Sequence, residues 1–364
     1  MSTKKFFETD SRVLQNEYAK TANLLFKNGI LEKFKNKTVL VTGGTGLLGT
    51  QITKTILCCN RLYNSNVKVI ILSRNKKKVL DKYNPYCLNN IIVYIQDIRE
   101  PIKIQENVNY IFHCASPTES KFFVDFPVET IDTIVNGTIN ILNYAKNQNL
   151  QGLLYFSSLE AYGDINNAGS YTNENDIGII DFLNVRSSYS ESKRMCECVC
   201  QSFLHEFNVP IFIARFTQII GADVEYNDNR FVVQLARSVY ESKDIVLKTE
   251  GNTIRNYCDI TDAISAVFYI LAFGTIGEAY NVANKDSAIS IYDLANYVCK
   301  KYKDKNIKVS FNIDYNQKNT GYNKEIKIKL GTKKLESLGW SAHVSIDESL
   351  DKIVDHFYEK GRAK

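Results

Sequence analysis

Three side chains at fixed spacing carry the most chemistry in this 364-residue sequence. Ser158 follows a short apolar run at 153–156, and Tyr189 and Lys193 stand four apart in a stretch with helical patterning. Four residues is about one helical turn, so phenol and ammonium share a face. An ammonium beside a phenol stabilises the phenolate, which predicts a lowered Tyr189 pKa suited to general acid–base work. A second pair of the same spacing, Tyr297 and Lys301, follows no serine-bearing strand and reads as helix surface.

A second chemical element precedes these. The run Thr42-Gly43-Gly-Thr45-Gly46-Leu47-Leu48-Gly49 lies between a β-branched stretch at 38–42 and a helical pattern at 50–59. Strand, glycine turn and helix in that order form a dinucleotide fingerprint. Its first glycine makes the turn, its second admits a pyrophosphate, its third lets helix pack on strand, and the helix N-terminus offers free N–H groups. At the end of the next strand an acid would accept from the adenosine ribose, whereas a base would meet a 2′-phosphate. Here Ser73-Arg74-Asn75 leads into Lys76, Lys77 and Lys78, which favours NADP(H) over NAD(H), with Arg74 in water as the alternative. Asp97, past a strand at 91–95, either accepts from the adenine amino group or caps a turn.

These residues need a frame, and the periodicity supplies one. Strand-like runs at 67–72, 91–95, 110–113, 153–156 and 211–214 alternate with helical patterns at 130–148 and 188–207. In the first of those helices Ile131, Ile134, Val135, Thr138, Ile141, Leu142 and Ala145 are spaced for one buried face. The alternation predicts an α/β, Rossmann-type doubly wound parallel sheet covered on both faces, with a smaller C-terminal substrate-binding lobe. The expected division is an N-terminal helical arm at 1–36, a dinucleotide-binding domain at 37–215, and a region at 216–364 that is mainly the lobe, interwoven with the first domain.

Composition narrows the function classes. No apolar run reaches the ~18–20 residues of a membrane span, and the first ten residues have no apolar signal core. Nine cysteines without a framework read as reduced thiols, hence a cytoplasmic protein. The four histidines are scattered, so no metal site is expected. Residues 1–37 hold Lys4, Lys5, Arg12, Lys20, Lys27, Lys33, Lys35 and Lys37 against four acids, and read as a solvated helical arm rather than a nucleic-acid surface.

Over about 37–355 the chain resembles the extended short-chain dehydrogenase/reductase family, the nucleotide-sugar epimerases and dehydratases. The resemblance rests on Thr42–Gly49, Asp97-Ile98, His113-Cys114-Ala115-Ser116, Asn136-Gly-Thr, Ser158, Tyr189, Lys193, the stretch Arg255–Asp262, and Gly277-Glu-Ala-Tyr-Asn281. It implies Tyr189 as acid/base, Lys193 on the nicotinamide ribose, and Ser158 on the reacting hydroxyl or carbonyl. Further cofactor contacts would come from Thr42, Gly43, Thr45, Gly46, Leu47, Leu48, Gly49, Ser73, Arg74, Asp97, Ile98, Cys114, Ala115, Ser116 and Asn136. Ser116, Thr118, Gln218, Arg230 and Arg255 would join Ser158 on the substrate, the arginines clamping its diphosphate. The family also implies a homodimer that binds neither nucleic acid nor membrane.

Within the family the reaction is less defined. Ala115-Ser-Pro117 and Glu160 look like decarboxylases and 4,6-dehydratases, where a Glu at this offset moves a carbon-bound proton. Leu159 replaces the neighbouring acid of many dehydratases, Arg74 replaces the acid of decarboxylases, and Gln218 replaces an Asn. The Arg74 cluster tilts the expectation toward net NADPH-dependent reduction of a nucleotide-linked keto sugar, yielding a sugar alcohol or deoxy sugar for capsular or other cell-surface polysaccharide. The alternative is a dehydratase, epimerase or decarboxylase with a retained, recycled cofactor, for which Glu160 speaks. Intact Ser158, Tyr189 and Lys193 argue against a non-catalytic sensor or RNA-binding scaffold.

Overall fold

The protein was analysed as a computed structural model describing residues 10–165, 170–313 and 327–362, so Lys4 and Lys5 of the arm lie outside the described residues. The arm forms α1 (Arg12–Lys27) and α2 (Leu31–Phe34). Then come β1 (Thr38–Thr42), α3 (Leu47–Tyr63), β2 (Lys68–Ser73), α4 (Lys76–Lys82), α5 (Pro85–Leu88) and β3 (Ile91–Ile95). The next section holds β4 (Tyr110–His113), α6 (Ser120–Asp125), α7 (Pro127–Ala145), β5 (Gly152–Ser158), α8 (Ser187–Phe207) and β6 (Ile211–Phe216). After these follow β7 (Gln218–Ile220), α9 (Phe231–Glu241), β8 (Ile245–Leu247), β9 (Ile254–Arg255), β10 (Tyr257–Asp259), α10 (Ile260–Phe273) and β11 (Ala279–Val282). The last are β12 (Ile289–Ser290), α11 (Ile291–Lys301), β13 (Val309–Phe311), α12 (Lys333–Glu336) and α13 (Ile346–Arg362).

Seven strands form one parallel sheet in the order β11-β6-β5-β4-β1-β2-β3. Strand side chains alternate faces, and both faces here are apolar. Val39, Val41, Val69, Ile71, Phe112 and Phe156 pack on the side of α3 and α10, whereas Leu40, Ile70, Ile111, Leu153 and Tyr155 pack on the side of α7 and α8. The expected sheet and its helices are therefore present. Within α7, Ile131 departs from expectation: it is exposed, and the buried stripe starts at Thr130 and Ile134.

Beyond β6 the chain both builds a separate core and returns to the first one. Residues of α9, α11 and α13, including Leu235, Leu294, Val298, Ile353 and Phe357, enclose a distinct apolar cluster with short strand pairs at its border. α10 and β11 rejoin the main sheet and its covering layer. No helix among the described residues is long and apolar enough to cross a membrane. All nine cysteines are free thiols.

The arm is not the solvated helix that its charge suggested. Leu14, Tyr18, Ala22 and Leu25 form a stripe of helical period, and all four are buried in the core with α3 and α10. Lys54 of α3 is itself buried and pairs with Asp10 at 2.8 Å. Its ammonium also lies 5.6 Å from the Tyr18 ring centre. Ser11 caps α1 and meets His356 of α13 at 2.7 Å.

Glu17 of α1 is buried as well, accepting from Gln51 Nε2 at 3.2 Å. Lys352 Nζ stands 3.5 Å from Glu17 but 3.0 Å from Asp259. Burial and then the Asp259 charge raise the Glu17 carboxyl to about 8, outweighing Lys352. The unfolded chain releases this proton near the ordinary 4.5 and the folded chain only near 8, so stability falls as pH rises through that window and is flat above it. Glu17→Gln removes this penalty. In denaturant titrations, the stability of Glu17→Gln relative to the unsubstituted protein is expected to rise steadily from pH 5 to pH 8; a difference independent of pH refutes the raised carboxyl.

Candidate active site

The sheet reverses its winding between β1 and β4, which places the turn after β1 beside the segment after β4. Gly43 sits there at φ +64°, and a Cβ on it would lie 2.9 Å from the Ala115 Cα. Only glycine combines that backbone with that approach. A Cβ on Gly49 would come within 2.4 Å of the Gly43 carbonyl oxygen, so the first turn of α3 packs directly on the loop. Gly46, the residue preceding α3, is different: a Cβ there would meet only the Gly43 oxygen, at 3.4 Å. No side chain caps the N-terminus of α3. Open space at Gly46 and an uncapped 17-residue helix fit a diphosphate at this point.

A buried hydrogen-bond chain fixes the neighbouring strand ends. Ala115 N–H donates to Thr42 Oγ1 at 3.2 Å, Thr42 Oγ1 meets His113 Nδ1 at 2.8 Å, and His113 Nε2 meets Thr138 Oγ1 at 3.1 Å. Thr138 in turn donates to the Ile134 carbonyl at 2.6 Å, which leaves Nε2 to carry the imidazole proton. Burial and the nearby Lys193 push His113 down to about 3, so it stays neutral.

β5 carries Ser158 to the same edge, and α8 brings Tyr189 and Lys193 opposite. The Ser158 hydroxyl accepts from Glu160 N–H at 3.2 Å and lies near enough to the Tyr189 phenol to favour its ionised form. Lys193 is buried and donates to the Phe156 carbonyl at 2.7 Å, with its ammonium 5.6 Å from the Tyr189 ring centre. The predicted lowering of Tyr189 by Lys193 is not found. Burial, and next the charge of Glu160, push the phenol well above its ordinary range, against the Ser158 hydroxyl and Arg186. Lys193 is drawn down to about 8 by its own burial.

Tyr189 is covered by Phe123 of α6, whose ring stacks on it at 4.3 Å and 12°. Glu160, in the turn after β5, is bonded on both oxygens. Arg186 Nη2 donates to Oε1 at 2.9 Å, and Ser190 Oγ donates to Oε2 at 3.1 Å. Arg194 holds this turn from below, donating to the Ala161 and Tyr162 carbonyls at 2.6 and 2.8 Å. The sequence reading missed Arg186 and Phe123. Arg186 had a signal, since three residues before Tyr189 is one helical turn; nothing in the sequence pointed to Phe123.

Other expected site residues are placed less uniformly. Ser73 is buried 3.3 Å from Thr45 Oγ1, and Arg74 is exposed with no hydrogen bond or ion pair among the described residues. Asp97 caps a turn by accepting from Arg99 N–H at 3.0 Å, and the Arg99 guanidinium keeps its carboxyl below the usual range. Ile98 is buried against Gly137, while Cys114 and Ser116 are half-buried on the segment after β4. Asn136 does not face the cluster. It lies on the exposed side of α7 and donates to Asp132 at 2.6 Å, because Ile134 and Thr138 occupy the inward positions. Thr118 is exposed. Gln218 stands on β7 paired with β10. Arg230 is gripped by Asp228 at 2.7 Å, whereas the Arg255 side chain on β9 has no hydrogen bond or ion pair among the described residues. Tyr297 and Lys301 converge on Asp347 at the α11 surface, far in function from the Tyr189 cluster.

The glycine cradle yields a separable test. Gly46→Ala fits the fold and should alter stability by less than about 1 kcal/mol, as for a changed helix cap, yet weaken dinucleotide binding at least ~10-fold by intruding on the phosphate path. Gly49→Ala, with its 2.4 Å clash, should lower the melting temperature with no ligand present. Unchanged dinucleotide affinity in Gly46→Ala refutes the phosphate site.

Residues 39–283 match the model of the NAD dependent epimerase/dehydratase family. UDP-glucuronic acid decarboxylase 4 of Arabidopsis thaliana is 27% identical over 330 residues, 90% of this chain and 70% of that protein. The dTDP-D-glucose 4,6-dehydratase of Dictyostelium discoideum is 28% identical over 273 residues, 71% of this chain and 60% of that protein. In fold, the chain is similar to the UDP-glucose 4-epimerase of Thermotoga maritima, with a TM-score of 0.75 at 19% identity, covering 89% of this chain and 99% of the other. Its sheet, its glycine turn and the matched span together establish that the chain belongs to the NAD-dependent epimerase/dehydratase family.

Proposed function

We propose that this protein oxidises and re-reduces a nucleotide-diphosphate sugar within one turnover, retaining its nicotinamide dinucleotide, in the manner of a decarboxylase, 4,6-dehydratase or epimerase. The observation that carries this reading is the anchored Glu160, held by Arg186 and Ser190 close enough to Tyr189 for its charge to act on the phenol. Net reduction, expected from Arg74, needs no such acid. The relatives and neighbours named above are a decarboxylase, a dehydratase and an epimerase.

When bound, the nicotinamide supplies the hydride acceptor and donor. Gly43, Gly46 and the α3 N-terminus receive its diphosphate, and Lys193 holds the adjacent ribose. Once the phenol, drawn down by the charge of the bound dinucleotide, has lost its own proton to solvent, Tyr189 takes the proton of the sugar hydroxyl as that carbon is oxidised, and Ser158 holds the oxygen in line. Glu160 then moves the proton on the neighbouring carbon. The region 216–364 supplies the substrate lobe, with Gln218 and Arg255 on the diphosphate and Arg230 joining if Asp228 releases it. Exposed Val128 and Ile131 on α7 support the expected homodimer.

At the adenosine end the cofactor is NADP(H), because exposed Arg74 has no hydrogen bond or ion pair among the described residues and its guanidinium is free to meet a 2′-phosphate. Structures of neighbours in the fold were solved with NAD, so the two cofactors are compared directly. Arg74→Gln should weaken NADPH roughly 10–150-fold, the equivalent of ~1.5–3 kcal/mol for a hydrogen bond to a charged group, and leave NADH unchanged. Equal losses, or a parent protein that prefers NADH, refute this preference.

Two substitutions test the chemistry on nucleotide sugars. Tyr189→Phe keeps the ring stack and should cut turnover ~10²–10⁴-fold with dinucleotide binding intact. Glu160→Gln should slow product formation at least ~10²-fold while the absorbance of reduced nicotinamide becomes visible during turnover. If Glu160→Gln changes the rate less than about tenfold, and cofactor is consumed in step with product, net reduction replaces the internal redox cycle.

A further inference from the structure

Arg186 is a charged side chain with more donors than partners. It is 8% exposed, yet of its guanidinium nitrogens only Nη2 is bonded, to Glu160 at 2.9 Å. Nε and Nη1 are buried with no hydrogen-bond partner among the described residues. A guanidinium cannot discard its proton to relieve this, so the fold carries two unmet donor nitrogens in a dry place. Buried donors are nearly always paired, and an orphaned pair on a cation calls for an acceptor brought from outside.

The location identifies what that acceptor belongs to. The guanidinium carbon lies 4.8 Å from the centre of the Phe123 ring, the same ring that stacks on Tyr189. Ser188, between Arg186 and Tyr189, donates to the Phe123 carbonyl at 3.1 Å and ties α6 to this corner. Arg186, Phe123, Glu160 and Tyr189 therefore form one cluster at the reacting end of the site. The charges there do not balance: Lys193 and Arg186 are buried cations, and Glu160 is the carboxylate bonded between Arg186 and Ser190. Of the nearby acids on α8, half-buried Glu191 stands two residues from Tyr189 and so does not share its helix face, and Glu197 is already taken by Arg215 at 2.7 Å and Ser157 at 2.5 Å. One further negative charge would neutralise the cluster and satisfy a free guanidinium donor.

We infer that Arg186 selects the sugar, receiving a carboxylate borne on the ring next to the carbon on which Tyr189 acts, so that the substrate is a nucleotide-linked uronic acid rather than a neutral sugar. This rests on the nucleotide-sugar reading and specifies it. Phe123 packs on the guanidinium until the sugar enters, and Glu160 holds the cation in place from the other side. Arg186 is a specificity-determining residue with no proton to give.

The test uses calorimetric titration of the intact protein, loaded with dinucleotide, with UDP, UDP-glucose and UDP-glucuronic acid. The parent should bind UDP-glucuronic acid at least ~10-fold more tightly than UDP-glucose, the order expected of a charge-assisted hydrogen bond. Arg186→Gln should make the two sugars equal while leaving UDP unchanged, and Arg186→Lys should restore part of the preference. A parent that binds both sugars equally overturns the inference even if the variants fail to fold, as does an Arg186→Gln protein that loses both sugars and UDP to the same extent. Failure of UDP itself to bind overturns the nucleotide-sugar reading and this inference with it, whereas UDP binding without a uronate preference removes the inference alone.

Discussion

The turn after β1 approaches the end of β4 so closely that Gly43 has no room for a Cβ beside Ala115. This contact exists because a parallel sheet wound outward in two directions leaves one gap between neighbouring strand ends. Thr42 bridges the gap, accepting from Ala115 and bonding to His113, and His113 passes the constraint to Thr138 on α7. The cradle, the sheet edge and the helix that flanks α8 are thus locked by a few short polar contacts in an otherwise apolar interior. A looser turn would separate the dinucleotide site from the strand that delivers Ser158.

At the reacting end, the dominant force is desolvation rather than attraction between charges. Tyr189, Lys193, His113 and Arg186 all lie in a dry layer between the sheet, α6 and α8. Burial is the largest cause that pushes the phenol up and the ammonium and imidazole down, with the Glu160 charge adding to the first and Lys193 to the last. The Ser158 hydroxyl and the Arg186 cation oppose that for Tyr189 but do not overcome it. The site is therefore held in a state where the proton stays on the phenol. Its chemistry depends on what a ligand adds in charge and hydrogen bonding once Phe123 no longer covers the ring.

The outer side of the sheet shows the same economy at larger scale. α1, the first helix, and α13, the last, are joined over α3 by Ser11–His356 and by Glu17 and Asp259 sharing Lys352. Asp10–Lys54 fastens the start of α1 to α3. Buried ion pairs such as Asp10–Lys54 and Asp259–Lys352 contribute little net stability, because desolvation offsets the attraction, but removing one partner leaves a costly lone charge. They fix where the two chain ends sit relative to the Rossmann layer.

The sequence by itself determined the elements whose physics is local. Strand runs, helix periods and the spacing of Gly43, Gly46 and Gly49 follow from backbone sterics and from side chains that alternate by two or by 3.6. The same spacing placed Ser158, Tyr189 and Lys193 together and made Arg186 legible in principle, one turn before Tyr189. Burial, by contrast, is a property of the assembled layers. The basic composition of the arm hid a stripe at Leu14, Tyr18, Ala22 and Leu25 that only α3 and α10 could cover. Asn136 lay in a recognisable motif, yet the packing of Ile134 and Thr138 turned it outward. No local rule could show that Lys193 would donate to the Phe156 carbonyl, or that Phe123 would close over Tyr189. Tertiary structure decided these, because the solvation of a side chain is set by whatever distant segment comes to lie on top of it.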